Sequence, residues 1–174
     1  MNESTELLRN GLLQYFSDPV NVSKMLPIIN RSSRVSLRLL DYFCVNYARE
    51  KLTGYMVNDK YFDVHSAYKN QLKSFSKKLF DPFKRHSRLI LKHNHGEIDT
   101  TLGQLCFFRW CIINHVLEYV AQHHDAIFEH MKRTLVHTGT STEKKYRKRK
   151  SQITVTATRM ASPPGVHSII LYFE

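Results

Sequence analysis

Glycine, proline and cysteine are scarce in this chain of 174 residues, which has 6 Gly, 5 Pro and 3 Cys. The cysteines, Cys44, Cys106 and Cys111, are too few for a disulfide framework at this length, so we expect a reducing, intracellular compartment. Six glycines are few for a nucleotide-binding enzyme, and the sequence contains no phosphate-binding Gly-rich loop, no G-x-S-x-G and no H-E-x-x-H. We therefore predict that the protein is not an enzyme and has no catalytic residue and no cofactor.

Long apolar runs are absent as well. No window approaches the ~18 consecutive apolar residues of a membrane-spanning helix, which predicts no membrane insertion. Residues 1–9 are polar and lack the apolar run of a signal peptide. Hydrophobic residues make up 42% of the chain and charged residues 24%, proportions that are ordinary for a globular protein. The length predicts one soluble domain, or one domain with a short appendage.

Acidic residues are outnumbered, with 15 Asp and Glu against 26 Lys and Arg, a net charge of +11. The excess lies in residues 51–100 and 138–174, each with a net charge of +5, whereas residues 1–50 carry +1 and residues 101–137 are balanced. Such a bias concerns partners rather than fold. Nucleic acid is the first polyanion to consider and an anionic membrane surface the second. A basic protein without a polyanionic partner is the alternative.

The spacing of apolar residues predicts a mainly helical chain. Thr101 and Gln104 match a capping box, so the longest helix should begin there and run to about residue 136, with a bend or break in the polar stretch 122–125. The other predicted elements are a helix over 3–16, a short turn over 22–29, a helix from Ser32 or Ser33 to about Glu50, and a helix over 64–79 capped by Asp63. Six apolar residues of the longest helix should be buried: Leu105, Phe108, Trp110, Ile113, Leu117 and Val120.

Three short strand pairs complete the prediction. The first flanks Asn58-Asp59, the second flanks Asn94-His95-Gly96, and the third joins residues 153–158 to 166–173 across two prolines and a glycine. The predicted fold class is α+β, a helix-rich single domain with a long central helix and two or three small β-hairpins. We assign residues 1–137 to a helical core domain, 138–151 to a basic linker, and 152–174 to a C-terminal β-hairpin packed on the core.

The two basic regions are the candidate binding surfaces. Six of the seven residues from Lys144 to Lys150 are basic, a pattern typical of phosphate contacts or of a nuclear localisation signal, with a solvated loop as the alternative. Lys69, Lys73 and Lys77 recur at i, i+4 and i+8 and should line one helix face, unless that face is merely solvated. The predicted nucleic-acid-binding residues are Lys69, Lys73, Lys77, Lys78, Lys84, Arg85, Arg88, Lys144, Lys145, Arg147, Lys148, Arg149 and Lys150.

Histidine and cysteine residues are candidates for a metal site and for a centre of acid–base chemistry. Cys111 and His115 are four apart on a predicted helix, and Cys106 and His95 could add ligands, but the sequence has no C-x-x-C pair, and buried core residues are the alternative. The triplet His123-His124-Asp125 has no nucleophile placed by a motif. We therefore predict that no metal is bound.

Four stretches of the sequence carry a family resemblance. They are SSRVSLRLLDYF at 32–43, YKNQLK at 68–73, FDPF at 80–83 and GQLCFFRW at 103–110. Together they resemble a small, uncharacterised protein family encoded by large nucleocytoplasmic DNA viruses. The resemblance implies no site residue. It implies a context, which is the virus factory in the host cytoplasm, the nucleus or the virion, with viral DNA or other virion proteins as partners.

The function we predict is therefore that of a non-enzymatic, basic viral protein that binds nucleic acid through phosphate contacts. One alternative is a virion structural protein, a minor capsid or core component whose basic tail threads between its neighbours. Another is an orphan enzyme. The sequence leaves the oligomeric state open.

Overall fold

This computed structural model describes residues 3–75, 79–83, 88–93 and 96–140, and it describes residues 136–140 by their backbone only. Two helices come first. Helix α1 spans Glu3–Tyr15, as predicted, and α2 spans Pro19–Ile29. Helix α2 is longer than the predicted turn because Pro19 fits the first helical position. Asp18 caps it by accepting a hydrogen bond from the Val20 amide at 2.9 Å.

The next helix begins later than predicted. Ser36 is its N-cap, and the Ser36 Oγ accepts a hydrogen bond from the Leu39 amide at 3.1 Å. The predicted caps, Ser32 and Ser33, instead donate their amide N–H groups to the Pro27 carbonyl at 2.9 and 3.0 Å. These bonds fold the chain back at the end of α2 before a new helix starts. The helix then runs to its predicted end through α3 (Leu37–Tyr42), a π-helical turn (Phe43–Tyr47) and α4 (Ala48–Glu50).

The first predicted hairpin is present. Strand β1 (Gly54–Val57) pairs antiparallel with β2 (Lys60–Asp63). Asn58 and Asp59 form the two-residue turn, and both have positive φ, 48° and 62°. That is the conformation a tight hairpin requires and that Asn and Asp tolerate.

Helix α5 spans Val64–Ser74 and begins at the predicted cap, where Asp63 accepts a hydrogen bond from the Ser66 amide at 2.8 Å. It ends at Ser74, earlier than the predicted end at residue 79, and residues 76–78 of the predicted span lie outside the described residues. Phe75 leaves the helical conformation, and its ring stacks on that of Phe80 at a centroid distance of 6.2 Å. Aromatic packing against the core thus ends the helix one turn before the apolar periodicity does.

The second predicted hairpin is also present, as strands β3 (Arg88–His93) and β4 (Gly96–Thr101) in antiparallel register, with Arg88 opposite Thr101. Strand β4 leads directly into the central helix. Thr101 is the predicted N-cap, and its Oγ1 accepts a hydrogen bond from the Gln104 amide at 3.2 Å.

The predicted longest helix is three helices, α6 (Leu102–Ile113), α7 (Val116–Gln122) and α8 (His124–Thr140). The break at residue 123 lies in the polar stretch predicted to bend it. The earlier break was not predicted. His115 takes a left-handed conformation (φ 54°), and the Asn114 side chain donates a hydrogen bond to the Trp110 carbonyl at 2.8 Å, closing the end of α6.

Helix α6 is the centre of the core. Five of the six residues predicted to be buried are buried, with Leu105, Phe108 and Val120 fully inaccessible. Ile113 is the exception at 47% exposure, because it is the last residue of α6 and the chain turns away directly after it. The phenylalanines that are fully buried are Phe107 and Phe108 of this helix, together with Phe16, Phe43 and Phe80 from other segments.

The architecture is therefore α+β, helix-rich with two small antiparallel hairpins, as predicted. None of the helices in the described ranges is both long enough and apolar enough to cross a membrane. Helix α8 extends three residues into the segment predicted as a linker. The rest of that linker and the third predicted hairpin, residues 152–174, lie outside the described residues.

Candidate phosphate-binding cleft

A cleft of about 690 Å³ lies on the α2–α3 side of the core. Its walls come from the turn between α2 and α3, from the Pro82-Phe83 turn, and from the end of β4 with the start of α6. This volume is in the range of small-molecule binding sites. The side chains at the cleft that can donate hydrogen bonds include Arg31, Arg38, Arg88, Ser33, Ser36 and Gln104.

Among the described residues, three arginines line the cleft against a single carboxylate. Arg88 Nη1 donates to Asp99 Oδ2 at 2.6 Å. Arg31 and Arg38 are exposed, and neither has an ion-pair partner within the described part of the chain. Like charges gathered in a concave surface attract an anion that would relieve their repulsion.

Arg31 occupies a position where glycine is usual. Its amide donates to the Ile28 carbonyl at 3.4 Å, and the Ser32 amide donates to the Pro27 carbonyl at 2.9 Å, the two bonds of a Schellman motif at the end of α2. In this motif the first residue after the helix cap must have a left-handed backbone, and that residue is Arg31, with φ 59°. A side chain there costs roughly 1–2 kcal/mol relative to a helical residue. The cleft therefore carries a guanidinium at a strained backbone position.

The neutral polar groups of the cleft are arranged as donors. The hydroxyl oxygens of Ser33 and Ser36 accept hydrogen bonds from backbone amides at 3.1 Å, which leaves the hydroxyl proton of each free to donate. The Gln104 Oε1 accepts from the Thr100 hydroxyl at 2.9 Å, which orients the carboxamide and leaves its Nε2 as a donor. A site with many donors and one engaged carboxylate is suited to an anion rather than a cation.

The predicted binding residues fall into two groups. Lys69 and Lys73 are exposed on α5 at the predicted i, i+4 spacing, but they do not line the cleft. Arg88 does line it, beside Arg31 and Arg38. The remaining predicted residues lie outside the described residues: Lys77, Lys78, Lys84, Arg85, Lys144, Lys145, Arg147, Lys148, Arg149 and Lys150.

Sequence reasoning missed Arg31 and Arg38, because residues 1–50 are nearly neutral as a whole. The local excess of positive charge becomes visible when fewer residues are considered together. Residues 31–38, RSSRVSLR, hold three arginines and no acidic residue. The third, Arg34, does not line the cleft and bonds Asp125 at 2.8 Å instead.

Apart from His95, which lies outside the described residues, the residues considered as metal ligands lie in different environments, either buried in the core or exposed at a helix end. Burial raises the pKa of the Cys106 thiol to about 11 and that of Cys111 well above its usual value, so both are neutral thiols at neutral pH. His115 is exposed at the break after α6. Among the residues that the structure describes, no three His, Cys, Asp or Glu side chains are grouped so as to hold a metal ion.

The His123-His124-Asp125 triplet anchors α8. The ring of His123 stacks on Tyr119 at 4.1 Å. The two ring nitrogens of His124 contact Asp125 Oδ1 at 2.9 Å and the Arg34 carbonyl at 3.1 Å. The hydrogen bond from His124 and the charge of Arg34 lower the pKa of the Asp125 carboxyl. These contacts tie the start of α8 to the turn between α2 and α3, which carries Arg31.

Comparison with known proteins places the chain among viral proteins. Residues 1–164 match the family of unknown function DUF7197. The chain is 37% identical to "Uncharacterized protein L507" of Acanthamoeba polyphaga mimivirus over 152 residues, which cover 80% of this chain and 57% of the relative, so the chain spans little more than half of that relative's length. No solved structure matches it. The resemblance to proteins of large nucleocytoplasmic DNA viruses is thereby confirmed, and the chain belongs to the DUF7197 family.

Proposed function

We propose that this protein binds nucleic acid non-enzymatically, through phosphate contacts. The observation that supports the proposal is the gathering of Arg31, Arg38 and Arg88 in one cleft, where Asp99 is the one carboxylate among the described lining residues. A guanidinium presents paired N–H groups that match two phosphate oxygens, and it is less strongly hydrated than an ammonium. Contacts to phosphate position a protein on nucleic acid without reading bases, so we expect little sequence preference.

Membership of a family with a relative in a large DNA virus supports the choice of partner in this proposal. In such a virus the abundant polyanion is viral DNA, so we propose viral DNA as the partner and the virus factory of the host cytoplasm, or the nucleus, as the place. The lysines of α5 and the basic run 144–150 would add further phosphate contacts. A minor structural role in the virion, alongside other virion proteins, is the alternative that the test below separates from binding.

The test is the binding of the full chain to random duplex and single-stranded DNA across a salt series. Each phosphate contact contributes about −0.9 to the slope of log K against log salt on duplex, and about −0.7 on single strands. Changing Arg31, Arg38 and Arg88 together to Ala should weaken binding and flatten the slope by about 2 to 3 on duplex.

Arg34→Ala is the matched control. It removes the same charge from the same eight-residue stretch, but Arg34 bonds Asp125 and does not line the cleft. It should therefore change affinity and slope much less than Arg38→Ala. Equal effects of the two single variants would mean that net charge, not the cleft, drives binding. No binding of the wild-type chain at low salt, together with a fixed copy number in purified virions, would favour the structural role.

A further inference from the structure

The cleft has an apolar wall that phosphate contacts alone do not use. Phe83 lines it with 49% of its surface exposed, in a protein whose other phenylalanines line the core where they are described. Pro82, Ile29 and Leu37 lie along the same cleft. Inorganic phosphate, or the backbone of a duplex whose bases are stacked inside, would make no use of an aromatic ring here.

The turn that carries Phe83 is held firmly. The Phe83 amide donates to Asp81 Oδ1 at 2.9 Å, which closes a local turn. The backbone of Asp81 packs directly on α6 at Gly103, where an added Cβ would lie 2.8 Å from the Asp81 carbonyl oxygen. The ring is therefore presented from a backbone fixed against the central helix, which lowers the entropy lost when a ligand stacks on it.

Cations and an exposed ring in one cleft match the two ends of a nucleotide. Arginines bind the phosphate, and an aromatic face stacks with any base. The cleft volume, about 690 Å³, is in the small-molecule range, so one nucleotide unit can enter it, whereas a double helix can offer it only backbone phosphates. A base can reach such a cleft only when it is unpaired.

We infer that the cleft binds a nucleoside phosphate unit with an unpaired base, the phosphate on Arg31, Arg38 and Arg88 and the base against Phe83. The inference rests on the proposed function and sharpens it, because it makes the cleft selective for unpaired nucleotides. The unit comes from a single strand or from a free nucleotide, which share this chemistry.

The test measures the affinity of Phe83→Ala for a short oligothymidylate and for a blunt duplex of equal charge, by fluorescence anisotropy with the full chain. Loss of one base–aromatic stack should weaken single-strand binding about tenfold, while duplex binding changes less than about twofold. Phe83→Trp should restore single-strand binding, which separates loss of stacking from misfolding. Tyr61→Ala removes another exposed aromatic, 67% accessible on β2 and outside the cleft, and should change neither affinity.

Competition with thymidine monophosphate identifies the source. Displacement of the oligonucleotide at similar concentrations, lost in Phe83→Ala, would support the site and assign it to free nucleotides, whereas weak competition would assign it to a strand. Equal single-strand affinity of wild type and Phe83→Ala, with duplex binding intact, overturns the inference but leaves the proposed function standing. Absence of binding to either nucleic acid and to the monophosphate overturns both.

Discussion

The lysine face of α5 and the arginine cleft are two basic regions built in opposite ways. Lys69 and Lys73 come from one helix, stand one turn apart and are both exposed. The cleft takes Arg31, Arg38 and Arg88 from the end of α2, from α3 and from β3. These residues are up to 57 positions apart in the sequence, and an exposed ring lines the same cleft. The first is a convex row of strongly hydrated point charges, and the second is a concave site with bidentate donors.

The difference shows what a charge pattern in a sequence can locate. A row of like charges at helical spacing is local and stands out by composition. The concave site gathers single residues from distant segments, two of them from residues 1–50, which are nearly neutral as a whole. The charge of a segment thus predicts where a surface is basic, and it does not predict where a ligand-sized site is assembled.

The largest expected effect comes from breaking the cleft through its backbone. Gly103→Ala would place a Cβ 2.8 Å from the Asp81 carbonyl oxygen, and backbone on both sides leaves little room to shift. We expect a loss of about 1–3 kcal/mol in the free energy of unfolding, measured by urea denaturation, and weaker single-strand binding as the Phe83 turn moves.

Gly11→Ala is the matched control for that change. Gly11 lies in α1 with no atom within 4 Å of an added Cβ. The same substitution there should raise the free energy of unfolding by up to about 1 kcal/mol, because alanine favours the helix. A stability of Gly103→Ala equal to wild type would show that the turn does not rest on α6 as described.

The left-handed backbone of Arg31 allows the strain at one position of the cleft to be tested separately from its charge. Arg31→Gly and Arg31→Ala both remove the guanidinium, but only glycine tolerates φ 59° without steric cost. We expect Arg31→Gly to be about 0.5–1 kcal/mol more stable than Arg31→Ala in urea denaturation, with equal losses of affinity.

Arg38 provides the opposite case. It lies in α3 with a helical backbone, so Arg38→Gly should be less stable than Arg38→Ala by about 1 kcal/mol. The same order of stability at both positions would argue against the left-handed conformation of Arg31.

A gain of affinity should follow from removing the carboxylate of the cleft. Asp99→Asn frees Arg88 and deletes the negative charge that lines the site. An exposed pair of this kind is worth about 0.2–1 kcal/mol, so we expect a gain of up to about fivefold in affinity for single strands, measured in the same anisotropy assay.

Glu97→Gln makes an equal change of charge on the same hairpin. Glu97 faces Lys92 at 3.9 Å and lies outside the cleft. It should therefore raise affinity less than Asp99→Asn. A larger gain from Glu97→Gln would mean that binding responds to net charge and not to the site.

The smallest effect is expected on the lysine face. Lys69→Ala with Lys73→Ala should change the affinity for a strand that fills only the cleft less than about twofold, because neither residue lines the cleft and their proposed phosphate contacts need a longer nucleic acid. Like charges at i, i+4 repel each other by about 0.2–0.5 kcal/mol, so stability should stay level or rise slightly in thermal denaturation. A tenfold loss of affinity would move the binding site to α5.

The sequence by itself determined the features that depend on neighbouring residues. Asp63 and Thr101 cap the helices that follow them, Asn58-Asp59 makes a hairpin turn, and the apolar stretch after Thr101 forms the core helix. Each of these features depends on hydrogen bonds, φ preferences or apolar spacing among residues close together in the chain. A short stretch of sequence therefore holds all the information needed to predict it. The sequence motifs likewise carried the viral family resemblance that the comparisons confirm.

Tertiary structure decided the rest, because it depends on contacts between residues distant in the chain. Helix α5 ends at Ser74 because Phe75 packs on Phe80, and the start of α3 moves to Ser36 because Ser32 and Ser33 close α2. The cleft exists because a turn, a hairpin and the start of α6 meet around Arg31, Arg38 and Arg88. Charged and aromatic side chains form a site only when folding brings them close enough to contact one ligand. The distance between residues far apart in the chain cannot be predicted from a local sequence pattern.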